Sequence, residues 1–268
     1  MIESKIRLGI LGVAGRMGRE ILTQAVEDCD FQIVAAVENE GSKLLGVDCG
    51  EIIGAGELGV KISEKVDESY GRPDVIIDFS SPESSLSNLE FCSRRVVPCV
   101  IGTTGLKDCT RQLEEFGKKI PILFSPNMSV GVNATYQLVE EVTKLVGSEA
   151  DIEIIEAHHR DKLDAPSGTA LRLGEIIADK LGRRLEDCAV YGRKGNIGRR
   201  PKETIGFETI RAGDIVGDHT VIFAMMGERI EISHKASSRA AFASGALRAA
   251  SWLIGKDAGL YDMKDVLK

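Results

Sequence analysis

The stretch Glu156–Ala170, EAHHRDKLDAPSGTA, places two imidazoles, an ammonium group and a helix start within fifteen residues. An imidazole exchanges protons near neutral pH, and a lysine gives a proton or pairs with an anion. Ala165-Pro-Ser-Gly-Thr-Ala170 has the marks of a helix N-terminus. Pro suits the approach, Ser167 can cap, and Gly168 and Thr169 leave backbone N–H groups open. Such a terminus binds carboxylate or phosphate, and Lys162 can add a full charge to the same anion or deliver a proton. The strand-like run Asp151–Ala157 delivers His158 and His159 at its end. In a continuing strand adjacent side chains point to opposite faces, so the two imidazoles are not expected to share one role. That separation, with no His-x-x-x-His or cysteine cluster, argues against a metal site. Ser167 lacks the Gly-x-Ser-x-Gly elbow of a serine nucleophile. The plain alternative is a capped surface helix preceded by a charged loop.

A second constellation lies near the start. Leu8–Glu20, LGILGVAGRMGRE, is a buried strand ending in Gly12-x-x-Gly15-x-x-Gly18 and passing into a helix. Glycines let the backbone turn sharply and approach a pyrophosphate, and the helix start offers free N–H groups. Glu38 follows the next strand, twenty residues beyond Gly18, where a carboxylate can accept hydrogen bonds from a ribose diol. Strand, turn, helix, strand and acid together indicate a dinucleotide site. Ile101-Gly-Thr-Thr-Gly105 and Ser125-Pro-Asn-Met-Ser129 each follow a later strand. Ligands of parallel sheets bind at such carboxyl ends, although either segment alone reads equally as an ordinary turn.

These groups need elements to hold them. The runs Lys5–Leu11, Phe31–Val37, Asp74–Phe79, Pro98–Ile101 and Ile120–Phe124 are mostly apolar without a polar alternation, and helical spacing falls between them at Gly15–Glu27, 83–95 and 107–119. That is the pattern of a doubly wound parallel sheet covered on both faces. After about residue 130 the texture changes to an α+β unit with a largely antiparallel sheet. Helices are expected at Val132–Val146 and Thr169–Leu181, and strands at 151–157, 204–211, 219–226 and 229–235, with a hairpin turn at Met226–Arg229. An Ala-rich helix, Ser238–Ile254, closes the chain. The net charge of -7 among 268 residues argues against a nucleic-acid surface. No apolar run reaches the roughly 20 residues of a membrane span, and the start lacks a signal-peptide layout, so the expectation is a cytoplasmic protein. The six cysteines form no Cys-x-x-Cys and read as ordinary thiols. All four histidines lie in the second half, at 158, 159, 219 and 234, so imidazole chemistry belongs there.

Gly12-Val-Ala-Gly-Arg-Met-Gly18, Gly102-Thr-Thr104 and the run Glu156–Ala170 resemble the dihydrodipicolinate reductase family, as do Arg211–His219 and His234–Arg239. The resemblance spans nearly the whole chain. It implies a Rossmann-like α/β fold in which an α+β substrate and oligomerisation domain is inserted. Residues 1–130 form the dinucleotide-binding domain and 131–238 the substrate-binding and tetramerisation domain. In 239–268, the C-terminal helix returns to the first. It further implies NADH or NADPH as cofactor, a small cyclic dicarboxylate as substrate, and a homotetramer. By position, His158 is the proton donor or acceptor and Lys162 the proton donor. His159, Ser167, Gly168 and Thr169 contact the substrate. The cofactor falls to Gly12, Val13, Ala14, Gly15, Arg16, Met17, Glu38, Gly102, Thr103, Thr104, Ser125, Pro126, Asn127 and Met128. Asn39 stands where many members carry an arginine that grips the NADPH phosphate, so NADH is expected to serve at least as well. Ala212, where glycine is frequent, reads as a tolerated loop change. The rivals are a related two-domain amino-acid dehydrogenase, which needs no His-His-x-x-Lys, and a non-catalytic NAD(H)-sensing module, which needs no acid–base residues.

Overall fold

An uninterrupted apolar run is fully buried only when its strand is covered on both sides. The first part of the chain meets that condition in a computed structural model that describes residues 5–268, the side chain of Lys107 excepted. Its elements are β1 (Ile6–Leu11), α1 (Arg16–Glu27), β2 (Phe31–Val37), β3 (Ile62–Ser63), β4 (Val75–Asp78), α2 (Pro82–Arg95), β5 (Cys99–Ile101), α3 (Thr110–Gly117) and β6 (Pro121–Phe124). Next come α4 (Val130–Val146), β7 (Asp151–His158), α5 (Gly168–Lys180), α6 (Leu185–Cys188), β8 (Ala189–Tyr191), β9 (Ile205–Arg211), β10 (Gly217–Met225) and β11 (Glu228–Ala236). The chain closes with α7 (Ala240–Leu253), β12 (Gly259–Tyr261) and α8 (Met263–Val266). Backbone contacts divide it into two units, the chain up to Val130 with Arg239–Lys268, and Gly131–Ser238.

The first unit holds a seven-stranded parallel sheet in the order β12-β6-β5-β4-β1-β2-β3. The order reverses between β1 and β4, the switch point of a doubly wound fold. Side chains of successive strand residues feed opposite cores. Leu8, Ile10, Val75, Ile77, Val100 and Leu123 pack with α1 and α7. Leu11, Ile76, Cys99, Ile101 and Ile122 pack with Leu89 and Cys92 of α2 and Leu113 of α3. The alternation explains why these runs are apolar almost throughout, with Arg7 and Gln32 near the starts of β1 and β2 and Asp78 at the end of β4 as exceptions.

The second unit corrects one expectation. Its five-stranded sheet, β11-β10-β7-β9-β8, is mixed rather than largely antiparallel. β10 is antiparallel to β11 and β7, while β7–β9 and β8–β9 are parallel. The reason is α5: a helix carries the chain back over one face after β7, and a strand reached by such a crossover runs parallel to the one it left. Val139 of α4 and Leu173 and Ile177 of α5 cover Ile152, Ile154, Phe207, Val221 and Phe223. The opposite face carries Glu153, Ile155, Thr220 and Ile222, all half-buried, and Ile210, 47% exposed. Met226 and Gly227 make the expected hairpin turn, with Met225 paired to Glu228. Helix α4 begins at Val130, two residues before its expected start, and three strands of three residues or fewer, β3, β8 and β12, are not marked by the sequence pattern.

The returning helix α7 meets the segment after β6 at Gly245. A Cβ there would stand 1.9 Å from the Met128 carbonyl oxygen, which is backbone and cannot swing aside. Gly245→Ala should therefore destabilise the protein by about 1–3 kcal/mol or more, as overpacking does. Urea unfolding followed by circular dichroism measures it, and a variant as stable as the wild type would contradict this contact.

Candidate active site

The acid–base cluster is built at the end of β7. Strand alternation puts Ile152, Ile154, Glu156 and His158 on one face, so Glu156 points toward the apolar core rather than to solvent. Its carboxylate is 1% exposed. Oε2 lies 2.6 Å from His158 Nδ1 and accepts from Arg211 Nη1 at 2.8 Å. Oε1 accepts from Arg211 Nη2 at 2.8 Å, the Ser167 backbone N–H at 3.1 Å and the Thr209 hydroxyl at 3.2 Å. Burial pushes the Glu156 carboxyl up, but hydrogen bonds from Arg211 and His158 outweigh it and hold it below the usual carboxylate range.

His158 is buried and its imidazole is held below its ordinary value. Burial is the main cause, offset in part by Glu156 and reinforced by the charges of Lys162 and Arg211. Its ring meets that of His219 edge to face, 5.1 Å between centroids. His219 is 5% exposed, and burial together with the neighbouring His158 pushes it down to about 4. Its Nε2 lies 2.8 Å from Ser167 Oγ, while its Nδ1 is buried without a partner among the described residues. Lys162 is one-fifth exposed and pairs with Asp164 at 2.8 Å. His159 lies just past β7, half-buried, and its carbonyl accepts from the Lys162 N–H at 3.2 Å.

The helix start forms as its residue types dictate. Ser167 caps α5, its hydroxyl accepting from the Ala170 N–H at 3.1 Å. That hydroxyl is 2% exposed and also engaged with His219, so it shapes the site from within. Gly168 and Thr169 form the first turn of α5. Nearby, Tyr136 of α4 is hydrogen-bonded to the Thr169 side chain, and burial pushes its phenol up to about 12. His158, Lys162, Ser167, Gly168 and Thr169 thus belong to one cluster. Glu156, Arg211 and His219, which have no assigned part in the sequence reading, are its supports.

The second constellation lies in the first unit, at the carboxyl ends of β1, β2, β5 and β6. Gly12 has φ +75, and a Cβ would stand 2.6 Å from the Phe79 carbonyl oxygen. A Cβ on Gly18 would stand 2.1 Å from the Gly12 carbonyl oxygen, so α1 can begin this close to the turn only with glycine there. Gly15 is the N-cap residue and no side chain caps α1, which leaves its first N–H groups, those of Arg16 and Met17, to a ligand. Glu38 follows β2; its Oε2 accepts from the Ala14 N–H at 2.9 Å, and its Oε1 from Asn39 Nδ2 at 3.0 Å. Val13 and Met128 side chains are core, so only their backbone faces a ligand. Gly102 packs under the Phe79 ring, where a Cβ would stand 2.1 Å away. Thr103 is buried and its hydroxyl accepts from Ser85 at 2.8 Å, while Thr104 is exposed. Ser125 donates to the Asn127 carbonyl at 2.7 Å, and Pro126 is exposed. Buried Asp78 at the end of β4, not singled out from sequence, binds Ser80 and Asn88 and so holds the turn on which Gly12 packs. A tight glycine cradle, an uncapped helix start and a carboxylate beside them fit a nicotinamide dinucleotide.

A doubly wound sheet with this turn, joined in one chain to a separate acid–base unit, defines an oxidoreductase of the dinucleotide-binding class. Residues 6–128 match the family described as dihydrodipicolinate reductase, N-terminus, and residues 131–267 match dihydrodipicolinate reductase, C-terminus. The chain belongs to the dihydrodipicolinate reductase family and is an NAD(P)H-dependent oxidoreductase. The 4-hydroxy-tetrahydrodipicolinate reductases of Acinetobacter baumannii strains AYE and AB307-0294 are each 53% identical to it over 262 residues, 97% of this chain and 96% of theirs. The fold is similar to that of dipicolinate-bound dihydrodipicolinate reductase from Paenisporosarcina sp. TG-14, with a TM-score of 0.73, 21% identity, and coverage of 97% of this chain and 98% of that one. A Corynebacterium glutamicum diaminopimelate dehydrogenase shares the fold more distantly, with a TM-score of 0.54 and 14% identity over 98% of this chain and 96% of that one.

The buried imidazoles make stability depend on pH. His219 has a folded value of about 4 against an ordinary 6.5, so between those values the unfolded chain binds more protons. Stability is complete above about 6.5 and falls as the pH drops toward 4. Between about pH 7.5 and pH 5 this group alone should remove about 2 kcal/mol. Urea unfolding of the wild type and of His219→Gln at both pH values tests this. The variant should lose about 2 kcal/mol less over the interval, and equal losses would contradict a buried neutral imidazole.

Proposed function

We propose that this chain reduces 4-hydroxy-tetrahydrodipicolinate, by way of dihydrodipicolinate, to tetrahydrodipicolinate with NADH or NADPH, in the diaminopimelate route to lysine. The observation that carries the reading is the cluster His158, Lys162 and the start of α5. It joins a proton-exchanging imidazole, a cation and backbone N–H donors, which is what a cyclic dicarboxylate needs. A bound nicotinamide supplies the hydride. The chain's own groups bind the anion and manage the proton. Lys162 and the N–H groups of Gly168 and Thr169 hold the carboxylates, with His159 beside them. Lys162 is the proton donor. His158, held neutral by burial, serves as the partner that takes and returns a proton.

Gly12 to Met17 and Glu38 hold the adenosine side of the cofactor, with Gly102 to Thr104 and Ser125 to Met128 lining the rest. The Glu38 carboxylate repels a 2′-phosphate. Asn39 spends its side chain on Glu38 and offers no cation, which leaves such a phosphate to the exposed side chains of Arg16 and Lys43. NADH therefore serves at least as well as NADPH. The enzyme acts in the cytoplasm as a homotetramer. Support for the assembly comes from the open sheet face in the second unit, where Ile155, Ile210 and Ile222 stand among charged residues without a helix over them among the described residues.

A coupled assay tests the reading. Dihydrodipicolinate synthase generates the unstable substrate from pyruvate and aspartate semialdehyde, and loss of nicotinamide absorbance is followed with each cofactor. Substrate-dependent oxidation is expected, and none with either cofactor would return the chain to the dehydrogenase or sensor readings. A kcat/KM for NADPH more than about tenfold above that for NADH, about 1.4 kcal/mol, would overturn the preference. In the same assay His158→Ala and Lys162→Ala should each lower kcat by about 10²-fold or more, and Lys162→Ala should also raise KM. Normal turnover in both would remove the roles assigned here.

A further inference from the structure

We propose that Glu156 is a positioning residue for the acid–base chemistry. One of its oxygens fixes His158 with the proton on Nδ1, leaving Nε2 as the working nitrogen, and the other fixes the start of α5. The proposal rests on the reading that His158 exchanges a proton and deepens it.

Glu156 Oε2 faces two groups, Arg211 Nη1 at 2.8 Å and His158 Nδ1 at 2.6 Å. Arg211 can only donate, and an ionised carboxylate can only accept, so the short contact to the imidazole requires Nδ1–H. A neutral imidazole with its proton on Nδ1 has its lone pair on Nε2. That nitrogen lies toward Gly217, where even a Cβ would stand 3.0 Å away. Glycine there means that no side chain at position 217 presses on Nε2, although His219 of the same strand packs beside the ring. Oε1 accepts the Ser167 N–H at 3.1 Å, so the same carboxylate sets the position of the residue that opens α5. Charged and titratable groups facing His158 are Glu156 on its own strand, Arg211 from β9, His219 from β10 and Lys162 from the following loop. Of these only Glu156 is an anion that can accept a hydrogen bond from Nδ1–H.

The alternative is that Glu156 merely staples β7 to β9. Glu156→Gln separates the two. Its amide NH2 must face donors in either orientation. At the Oε1 position it opposes Arg211 Nη2 and the Ser167 N–H, neither of which can switch. At the Oε2 position it opposes Arg211 Nη1, but the imidazole can give up its Nδ1 proton and accept instead. The glutamine therefore turns its NH2 to His158 and drives the proton to Nε2, while its carbonyl still holds Ser167.

The test uses the full-length protein with ¹⁵N-labelled histidine and no substrate, the His158 signals being assigned by their loss in His158→Asn. Expected is an Nδ1–H tautomer in the wild type and an Nε2–H tautomer in Glu156→Gln. In the coupled assay Glu156→Gln should lower kcat by about 10²-fold with the substrate KM changed less than about threefold, because α5 stays anchored. A wild-type His158 protonated on Nε2 overturns the proposal, and that measurement needs no variant to fold. So does an unchanged tautomer in Glu156→Gln, or a KM rise with kcat retained. If His158→Ala turns over normally the reaction reading fails instead, and the tautomer measured on the resting protein reports on Glu156 by itself.

Discussion

A carboxylate inside a protein is costly to desolvate, by several kcal/mol, unless its oxygens are matched by donors. Glu156 meets this constraint with five donor groups from four places in the chain: His158, Arg211, Thr209 and the Ser167 N–H, with Arg211 giving two. Much of the second unit follows from satisfying it. Thr209 stands opposite Glu156 and Arg211 opposite His158 only because β7 and β9 pair in this parallel register. Arg211 also donates to the Asp164 carbonyl at 2.6 Å, the Ala212 N–H to the His158 carbonyl at 2.9 Å, and the Arg160 N–H to the Gly213 carbonyl at 3.1 Å. The loop that carries Lys162 is thus pinned at both ends to the segment after β9. One ionised group thus ties together the paired strands β7 and β9, the helix start and, through Arg211, the loop between them.

The first unit answers a different constraint, the close approach of backbone to backbone. Gly12 and Gly18 admit the turn at the end of β1, and Gly102 admits the Phe79 ring beneath the turn after β5. On the other side of the chain's excursion, α7 comes back to pack with α1 on one face of the sheet, and β12 extends the sheet beside β6. A polar substitution would harm the second unit most at Glu156 or its partners. In the first, a single added methyl at Gly12 or Gly18 is enough, because the contacts there are with main-chain atoms that cannot relax.

Legibility from the sequence divides along the same line. β2 spans Phe31–Val37 as its apolar run says, and α5 starts at the Ser167 cap, because local chemistry determines both. β3, β8 and β12 have too few residues to display a period. The mixed sheet was hidden because antiparallel and parallel pairing share the alternation of one-sided strands, and only the crossover through α5 distinguishes them. Glu156 was within reach. In DIEIIEAH the odd positions Asp151, Glu153 and Ile155 form one face, and Ile152, Ile154, Glu156 and His158 the other. Glu153 fits the open face, where Arg193 and Arg200 pair with it. A glutamate on the apolar face two residues before a histidine announces a partner. The identity of that partner, Arg211, depends on sheet register and could not be read along the chain.

The electrostatics of the cluster divide its labour. His158, His219 and His234 are all held below their ordinary value, with burial the leading cause in each. Imidazoles that stay neutral at pH 7 cannot provide the standing positive charge a dicarboxylate requires. That charge falls to Lys162 and to the dipole at the start of α5, while Arg211 is committed to Glu156. A protonated His158 would compete with Lys162 for the same anion and lose its lone pair. Its burial against His219 keeps it available as a proton acceptor, and Glu156 prevents burial from leaving Nδ1 without a partner. The apolar setting and the buried carboxylate therefore act in opposite directions on one imidazole; burial outweighs the carboxylate and keeps the ring a proton acceptor, while the carboxylate fixes which nitrogen accepts.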